Sequence, residues 1–208
     1  EVVCLLGRNG AGKTTTIRSI MGLTPPSEGR IQAFGRDIHE LKPYDIFKLG
    51  IRWIPQGRRL FPMLSVEENL KLALVNTDRR AQKEALQQAY ALFPIRHEKR
   101  RSRANTLSGG QLQMAAIARA LIGDTHLILM DEPTEGLAPI IIRQIGDVIR
   151  SVREQGKTVL LAEQNMQLAL EVADRHYIID NGQIRFEGTS AALAGSEEIK
   201  RTYLGVGG

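Results

Sequence analysis

A single cysteine, Cys4, stands among 208 residues, so no internal disulfide can form; this composition fits a reducing compartment. Cys4 sits in the apolar run Val2-Val3-Cys4-Leu5-Leu6, which suits a buried structural thiol better than a reactive one. No stretch approaches the ~18–20 consecutive apolar residues of a membrane-crossing helix. The longest apolar runs, such as Leu127-Ile128-Leu129-Met130, have the length of a strand. The N-terminus also lacks the basic-then-apolar layout of a signal peptide. Work at a membrane would therefore require docking to another subunit. Aromatic residues are scarce, at 5%, and few interrupt the basic cluster Arg96, Lys99, Arg100, Arg101 and Arg103. The net charge of +5 is accordingly read as a solvated face or a contact with acidic lipid or a partner, and no nucleic acid is expected. His39, His97, His126 and His176 have no metal-ligand spacing and read as surface or structural.

Hydrophobic and charged contents of 42% and 25% are those of a globular chain, long enough for one domain with a lobe inserted into it. An apolar strand at Val2 to Leu6 breaks into a glycine-rich turn, followed by a helix from about Lys13 to Met21. A turn cluster at Pro25-Pro26-Ser27-Glu28-Gly29 precedes a short strand at Arg30 to Phe34 and a second turn at Gly35-Arg36-Asp37. Another strand runs from Ile51 to Pro55. Beyond Gly57 the pattern turns helical. Ser65 to Glu68 reads as a capping box, a second helix covers about Arg79 to Phe93, and a third starts after Ser108 and stops at Gly123. Strands return at Leu127 to Met130, Thr158 to Ala162 and Tyr177 to Ile179, with helices at about Pro139 to Gln155 and Met166 to Ala173. Alternating strands and helices predict a largely parallel sheet covered on both faces. The helical stretch from 57 to 124 then reads as an insert between residues 1–56 and 125–208.

Three segments carry chemistry. Gly7-Arg8-Asn9-Gly10-Ala11-Gly12-Lys13-Thr14 matches GxxxxGK[ST] with a strand before it and a helix after it. Glycines let successive backbone N–H groups turn toward phosphate oxygens, and the helix adds its positive end. Lys13 would reach the β- and γ-phosphates and the Thr14 hydroxyl would ligate Mg²⁺, with Thr15 next in line at the phosphates. Leu127 to Met130 leads into Asp131-Glu132, two acids at the end of a buried strand that points at a ligand crevice. Asp131 would hold Mg²⁺, and Glu132 would be the general base or water-orienting group for attack on a γ-phosphate. Leu107-Ser108-Gly109-Gly110-Gln111 opens a helix with small residues, whose exposed N–H groups suit a second anion site.

These segments, in this order, resemble the ABC ATPase family throughout the chain. Gln56, after Trp53-Ile54-Pro55, is similar to its Q-loop glutamine, and Glu135-Gly136-Leu137-Ala138 to its D-loop. The resemblance implies an α/β fold: a RecA-like P-loop NTPase core with a mostly parallel sheet and an inserted α-helical subdomain. It implies ATP and Mg²⁺ as ligands and a head-to-tail pair of cassettes, homo- or heterodimeric. In that pair Ser108, Gly109, Gly110 and Gln111 of one chain would meet the γ-phosphate held by the other's phosphate loop. Gln56 would face the Mg²⁺ or water side of the site. The segment Arg58 to Val66 and the helical insert would form a groove for a permease's coupling helix. Trp53 reads as core rather than as an adenine platform.

Two features depart from the family pattern. Gln164, in Leu160-Leu161-Ala162-Glu163-Gln164, occupies the position of the usual H-loop histidine. Glutamine can donate to a γ-phosphate oxygen but cannot become a cation, so Gln164 is expected to be a working polar contact. The sequence also opens almost on the phosphate-loop strand, without the leading segment that in the family stacks an aromatic on adenine, and no aromatic here is assigned that task. Pro55-Gln56-Gly57-Arg58-Arg59-Leu60-Phe61-Pro62, Pro133 to Pro139, Ala162-Glu163-Gln164-Asn165 and Tyr203-Leu204-Gly205 are similar to branched-chain amino acid importer ATPases. That likeness implies permease subunits, a periplasmic binding protein behind them, and a peripheral place on the cytoplasmic face of the inner membrane. Alternatives are a urea or amide importer, a lipid exporter, or a soluble ABC-type ATP-gated assembly protein.

Overall fold

The computed structural model describes residues 1–75, 77–92 and 99–204. Phe93, Arg96, His97 and Gly205, which figure in the sequence reading, lie outside these. The main sheet has six strands in the order β4-β5-β6-β1-β7-β8. These are β1 (Val2–Leu6), β4 (Ile51–Ile54), β5 (Leu127–Asp131), β6 (Thr158–Glu163), β7 (Arg175–Asp180) and β8 (Gln183–Thr189). Strands β4 to β7 pair in parallel with their neighbours and with β1, whereas β8 returns antiparallel along β7. This is the α/β architecture expected from the sequence.

The strands are almost wholly apolar because both faces are covered. On one face Val2, Cys4, Leu6, Ile128, Met130, Val159 and Leu161 join a core supplied by α5 (Gly109–Leu121), α6 (Pro139–Glu154) and α7 (Met166–Val172). On the other, Leu129 and Ala162 meet Ile17 of α1 (Lys13–Ile20) and Ile46 of α2 (Pro43–Lys48). Neighbouring residues on β5 thus serve opposite cores, as the two-residue period of a strand requires.

Helices α3 (Val66–Lys71), α4 (Arg79–Leu92) and α5 pack through Val66, Leu70, Leu86, Met114 and Ala118, joined by Leu74 of the 3-10 turn after α3. Among the described residues from 57 to 124 there is no strand, only a single bridge between Ser65 and Arg103. The capping box read from the sequence is formed: Ser65 Oγ accepts from the Glu68 N–H, and Glu68 accepts from the Ser65 N–H at 2.7 Å. Buried Asn69 then fastens the loop before α3, accepting from Phe61 N–H at 2.8 Å and donating to the Phe61 carbonyl at 3.1 Å.

Several elements differ from the sequence reading, among them the short helices after Thr189. The expected strand at Arg30 to Phe34 shrinks to β2 (Gln32–Ala33), paired with β3 (Arg36–Asp37). Phe34 and Gly35 both have positive φ, so the turn sits between two short strands and not after one. Strand β8 was not anticipated, although Asn181-Gly182, again both at positive φ, is the strongest short-range hairpin signal. Helix α2 also went unread; Pro43 occupies its first turn, where a missing N–H costs nothing.

Candidate functional site

Four of the chemically marked segments follow the C-terminal end of a parallel strand: Gly7 after β1, Gln56 after β4, Asp131-Glu132 at the end of β5 and Gln164 after β6. Open α/β sheets bind ligands at such ends. Register enforces the convergence, since Leu6 lies opposite Glu163 and Asp131 opposite Ala162.

The phosphate loop turns at Gly12, whose φ of 117° is open only to glycine at low cost. Gly7 is required for another reason: a Cβ there would lie 2.5 Å from the Ile179 carbonyl oxygen of β7. Lys13, the first residue of α1, is 3% exposed and curls back over the loop. Its Nζ donates to the carbonyls of Gly7 (2.7 Å) and Arg8 (3.0 Å) and pairs with Glu132 Oε1 at 2.9 Å. Next to it, Thr14 Oγ1 donates to Asp131 Oδ1 at 3.0 Å. Gly10, Ala11, Gly12 and Thr15 line an open cavity that continues to Gln32 and Gly182. On the loop's other side Arg8 reaches the Thr202 carbonyl.

Glu132 occupies the centre of the site. It is 9% exposed and holds a φ of 46°, a conformation that non-glycine residues adopt at a cost and that recurs at functional positions. Its Oε2 accepts from Gln164 Nε2 at 3.2 Å and, more loosely, from Gln56 Nε2 at 3.5 Å. Gln164 Nε2 also reaches Asn9 Oδ1 of the phosphate loop at 2.5 Å. Lys13, Asn9, Glu132, Gln56 and Gln164 therefore form one hydrogen-bonded group, drawn from four strand ends.

Asp131 is nearly fully buried, and burial pushes its carboxyl above the ordinary aspartate range, opposed by the Thr14 hydrogen bond and aided by the Glu132 charge. Its second oxygen, Oδ2, is buried without a hydrogen-bond partner. A buried carboxylate oxygen lacking a partner beside a threonine hydroxyl matches the hard oxygen set that Mg²⁺ takes.

Several further residues, which sequence motifs did not assign to the site, hold this group. Glu135 Oε2 accepts from Gln56 Nε2 at 2.8 Å, and Arg58, itself at positive φ, donates to the Glu135 carbonyl at 2.8 Å. Glu163, 2% exposed, bridges two of the loops through its carboxylate. The signal for Arg58 lay in its neighbour Gly57, but nothing local marks Glu163.

Among the described residues, Ser108 to Gln111 make no hydrogen bond to Lys13, Asn9, Glu132, Gln56 or Gln164. Ser108 caps α5: its Oγ accepts from Gln111 N–H at 3.3 Å, and Gln111 Oε1 accepts from Ser108 N–H at 3.0 Å. A Cβ on Gly109 would collide with the Arg58 guanidinium at 2.4 Å, and one on Gly110 with Ile141 at 2.8 Å. Among the described residues no hydrogen bond or ion pair joins this turn to Gly7–Thr14. Trp53 is half-buried beside Met21, Phe47, Phe61 and Leu72 in a groove of about 360 Å³ that shares no lining residue with the phosphate loop's cavity. His176 is buried against the Ser190 hydroxyl, and His126 is exposed beside Asp124.

Comparison with known proteins gives the same assignment. The ABC transporter family matches residues 1–135. The chain is 42% identical over 205 residues to the high-affinity branched-chain amino acid transport ATP-binding protein BraG of Pseudomonas aeruginosa, covering 99% of this chain and 88% of that protein. It is 38% identical to the lipopolysaccharide export system ATP-binding protein LptB of Haemophilus influenzae, over 99% of this chain and 86% of that one. Among solved structures, the dimeric ATP-binding cassette MJ0796 bound to ADP and phosphate superposes with a TM-score of 0.82 at 27% identity, over 91% of this chain and 85% of that one. Strand-end convergence, the buried Lys13–Glu132 pair and these likenesses together place the chain in the ABC transporter family, as one of its ATP-hydrolysing cassettes.

Proposed function

We propose that the chain hydrolyses ATP to drive an importer of branched-chain amino acids. The observation that carries the catalytic part is the buried Lys13–Glu132 pair with Gln164 and Gln56 on the free oxygen of that carboxylate. Lys13 and the phosphate-loop N–H groups would bind the β- and γ-phosphates. Glu132, once Lys13 turns to phosphate, would accept the proton of the attacking water, while Gln164 and Gln56 hold that carboxylate and the water in place. Thr14, Asp131 and the side-chain oxygen of Gln56 would hold Mg²⁺. That ion neutralises charge on the phosphates. Asn9, Gly10, Ala11, Gly12 and Thr15 would complete the phosphate cradle.

Ser108 to Gln111 would act on ATP bound by a second cassette, a reading supported by the lack, among the described residues, of any hydrogen bond or ion pair between this turn and the chain's own phosphate loop. Residues 57–124 would move as a lobe against 1–56 and 125–208. The groove around Trp53, Phe61 and Leu72 would receive a permease helix on the cytoplasmic face of the inner membrane, with a periplasmic binding protein delivering cargo. The likeness to BraG and the Glu163-Gln164-Asn165 string support an amino acid as that cargo. Lipid export is the second reading, because LptB is similar over nearly the whole chain. Affinity purification from membranes separates the two. Two permease subunits should co-purify, and the reconstituted assembly should move leucine only with its binding protein. Co-purification with lipopolysaccharide-handling membrane proteins would overturn the import reading.

Gln164 offers a test of its own. A hydrogen bond to a charged group is worth roughly 1.5–3 kcal/mol, so Gln164→Ala should slow turnover by about 10–100-fold. Gln164→His should leave turnover within about threefold of wild type, because imidazole can replace the same donor. A large rise in rate with histidine would show that glutamine had disabled the site.

A further inference from the structure

Glu163 has no part in the chemistry described above, yet it is among the most completely engaged side chains in the protein. It ends β6, is 2% exposed, and lies between the strand carrying the phosphate loop and the one carrying Asp131. Its Oε1 accepts from the Thr134 hydroxyl at 2.6 Å and the Thr134 N–H at 3.1 Å. Its Oε2 accepts from the N–H groups of Gln164 at 2.9 Å and Asn165 at 3.0 Å. Its backbone carbonyl accepts from Gly7 N–H, the first residue of the phosphate loop, at 3.3 Å. One residue thus ties together the turn after Glu132, the turn bearing Gln164, and the start of the phosphate loop.

We propose that Glu163 is a positioning residue for hydrolysis, a carboxylate clasp that fixes the Glu132–Thr134 turn against Gln164 and so sets the Gln164–Glu132 contact. The inference rests on the reading of Gln164 and Glu132 given above. A purely apolar residue would pack as well at a strand end between two neighbours, but it would leave four donors without acceptors, the two of Thr134 buried and those of Gln164 and Asn165 half-buried. Only a carboxylate offers two oxygens, each able to take two hydrogen bonds. Burial raises the Glu163 carboxyl above the ordinary glutamate range, and the hydrogen bonds from Thr134, Asn165 and Gln164 pull it back. Burial, and then the charge of Glu163, likewise push the Cys4 thiol well up. On the Thr134 side the hydrogen bonds are buried, so an acceptor lost there is not replaced by water.

Glu163→Gln is nearly isosteric but turns one acceptor into an NH₂ facing two N–H or O–H donors, so one of the two turns is released. The clasp predicts a kcat reduced about 10–100-fold, the scale of a displaced catalytic group, with KM for ATP within about threefold of wild type. Binding of a fluorescent ATP analogue should stay near wild type, while the thermal midpoint should fall by a few degrees, because the released turn loses its acceptor. Coupling supplies the sharper readout. Combined with Gln164→Ala, the effect on kcat should fall well short of the product of the single effects, because both act on one contact. Thr134→Ser should keep wild-type turnover, whereas Thr134→Val, lacking the hydroxyl, should slow it. If Glu163→Gln does not fold, this Thr134 pair decides the matter: equal rates for Ser and Val overturn the clasp. Wild-type turnover of Glu163→Gln alongside a slow Gln164→Ala overturns it too and leaves the reading of Gln164 intact. Wild-type turnover of Gln164→Ala removes that reading, and the inference with it.

Discussion

Glu132→Gln should lower ATP turnover by about 10²–10⁴-fold, the contribution of a well-placed general base, and should leave ATP binding undiminished. The amide keeps the shape and the hydrogen bonds to Gln164 and Gln56 but cannot take a proton from water. Binding is expected to strengthen, because Lys13 Nζ now spends its charge on Glu132 at 2.9 Å. With that carboxylate neutralised, the ammonium is free to answer phosphate alone. The pair is buried on both sides, so the competition is not screened by solvent. A cassette that binds ATP and cannot cleave it should accumulate as a closed dimer, visible by size-exclusion chromatography with ATP and absent with ADP. Phosphate release at the wild-type rate would end the assignment of Glu132.

The second large effect is expected at Ser108. Its hydroxyl caps α5 and the residue is exposed, so Ser108→Asp keeps a good cap while adding a negative charge. If the turn faces a phosphate held by another chain, that charge meets the γ-phosphate. Turnover should fall by about 10²-fold or more, the scale of losing one preorganised electrostatic contact and replacing it with repulsion. The variant's own phosphate loop is untouched, so its thermal midpoint and its ATP labelling should match wild type. Lys13→Ala is the complement: it should lose ATP labelling on its own chain. A Ser108→Asp chain that no longer binds ATP would place the signature turn in the chain's own site.

Most of the site was legible because its residues announce themselves locally. A phosphate loop needs glycines at fixed spacing, and a strand ending in two acids reads as a crevice wall wherever it occurs. The capping box at Ser65 was equally local, since donor and acceptor lie three residues apart. Glu163 was not legible as a structural centre. Its partners sit 29 residues back and at adjacent positions, and only the β5-β6-β1 register brings them together. The same holds for Arg58, whose target is the backbone of Glu135, 77 residues away. Strand β8 is a different case. Its residues are mostly exposed and carry little apolar alternation, so the strand pattern was weak while the Asn181-Gly182 turn was strong. Turn chemistry was the better witness there.

The central claim is a division of labour: one chain supplies the phosphate loop and Glu132, and a second supplies the turn at Ser108 to Gln111. Its most direct test is a dilution series of the chain with the cassette it co-purifies with, measuring ATP bound per chain and phosphate released per chain on the same samples. ATP bound per chain should stay constant at saturating ATP, while phosphate released per chain should fall as the pair dissociates. Phosphate release per chain that holds constant through dissociation would mean that one cassette carries a complete site, and would contradict the account.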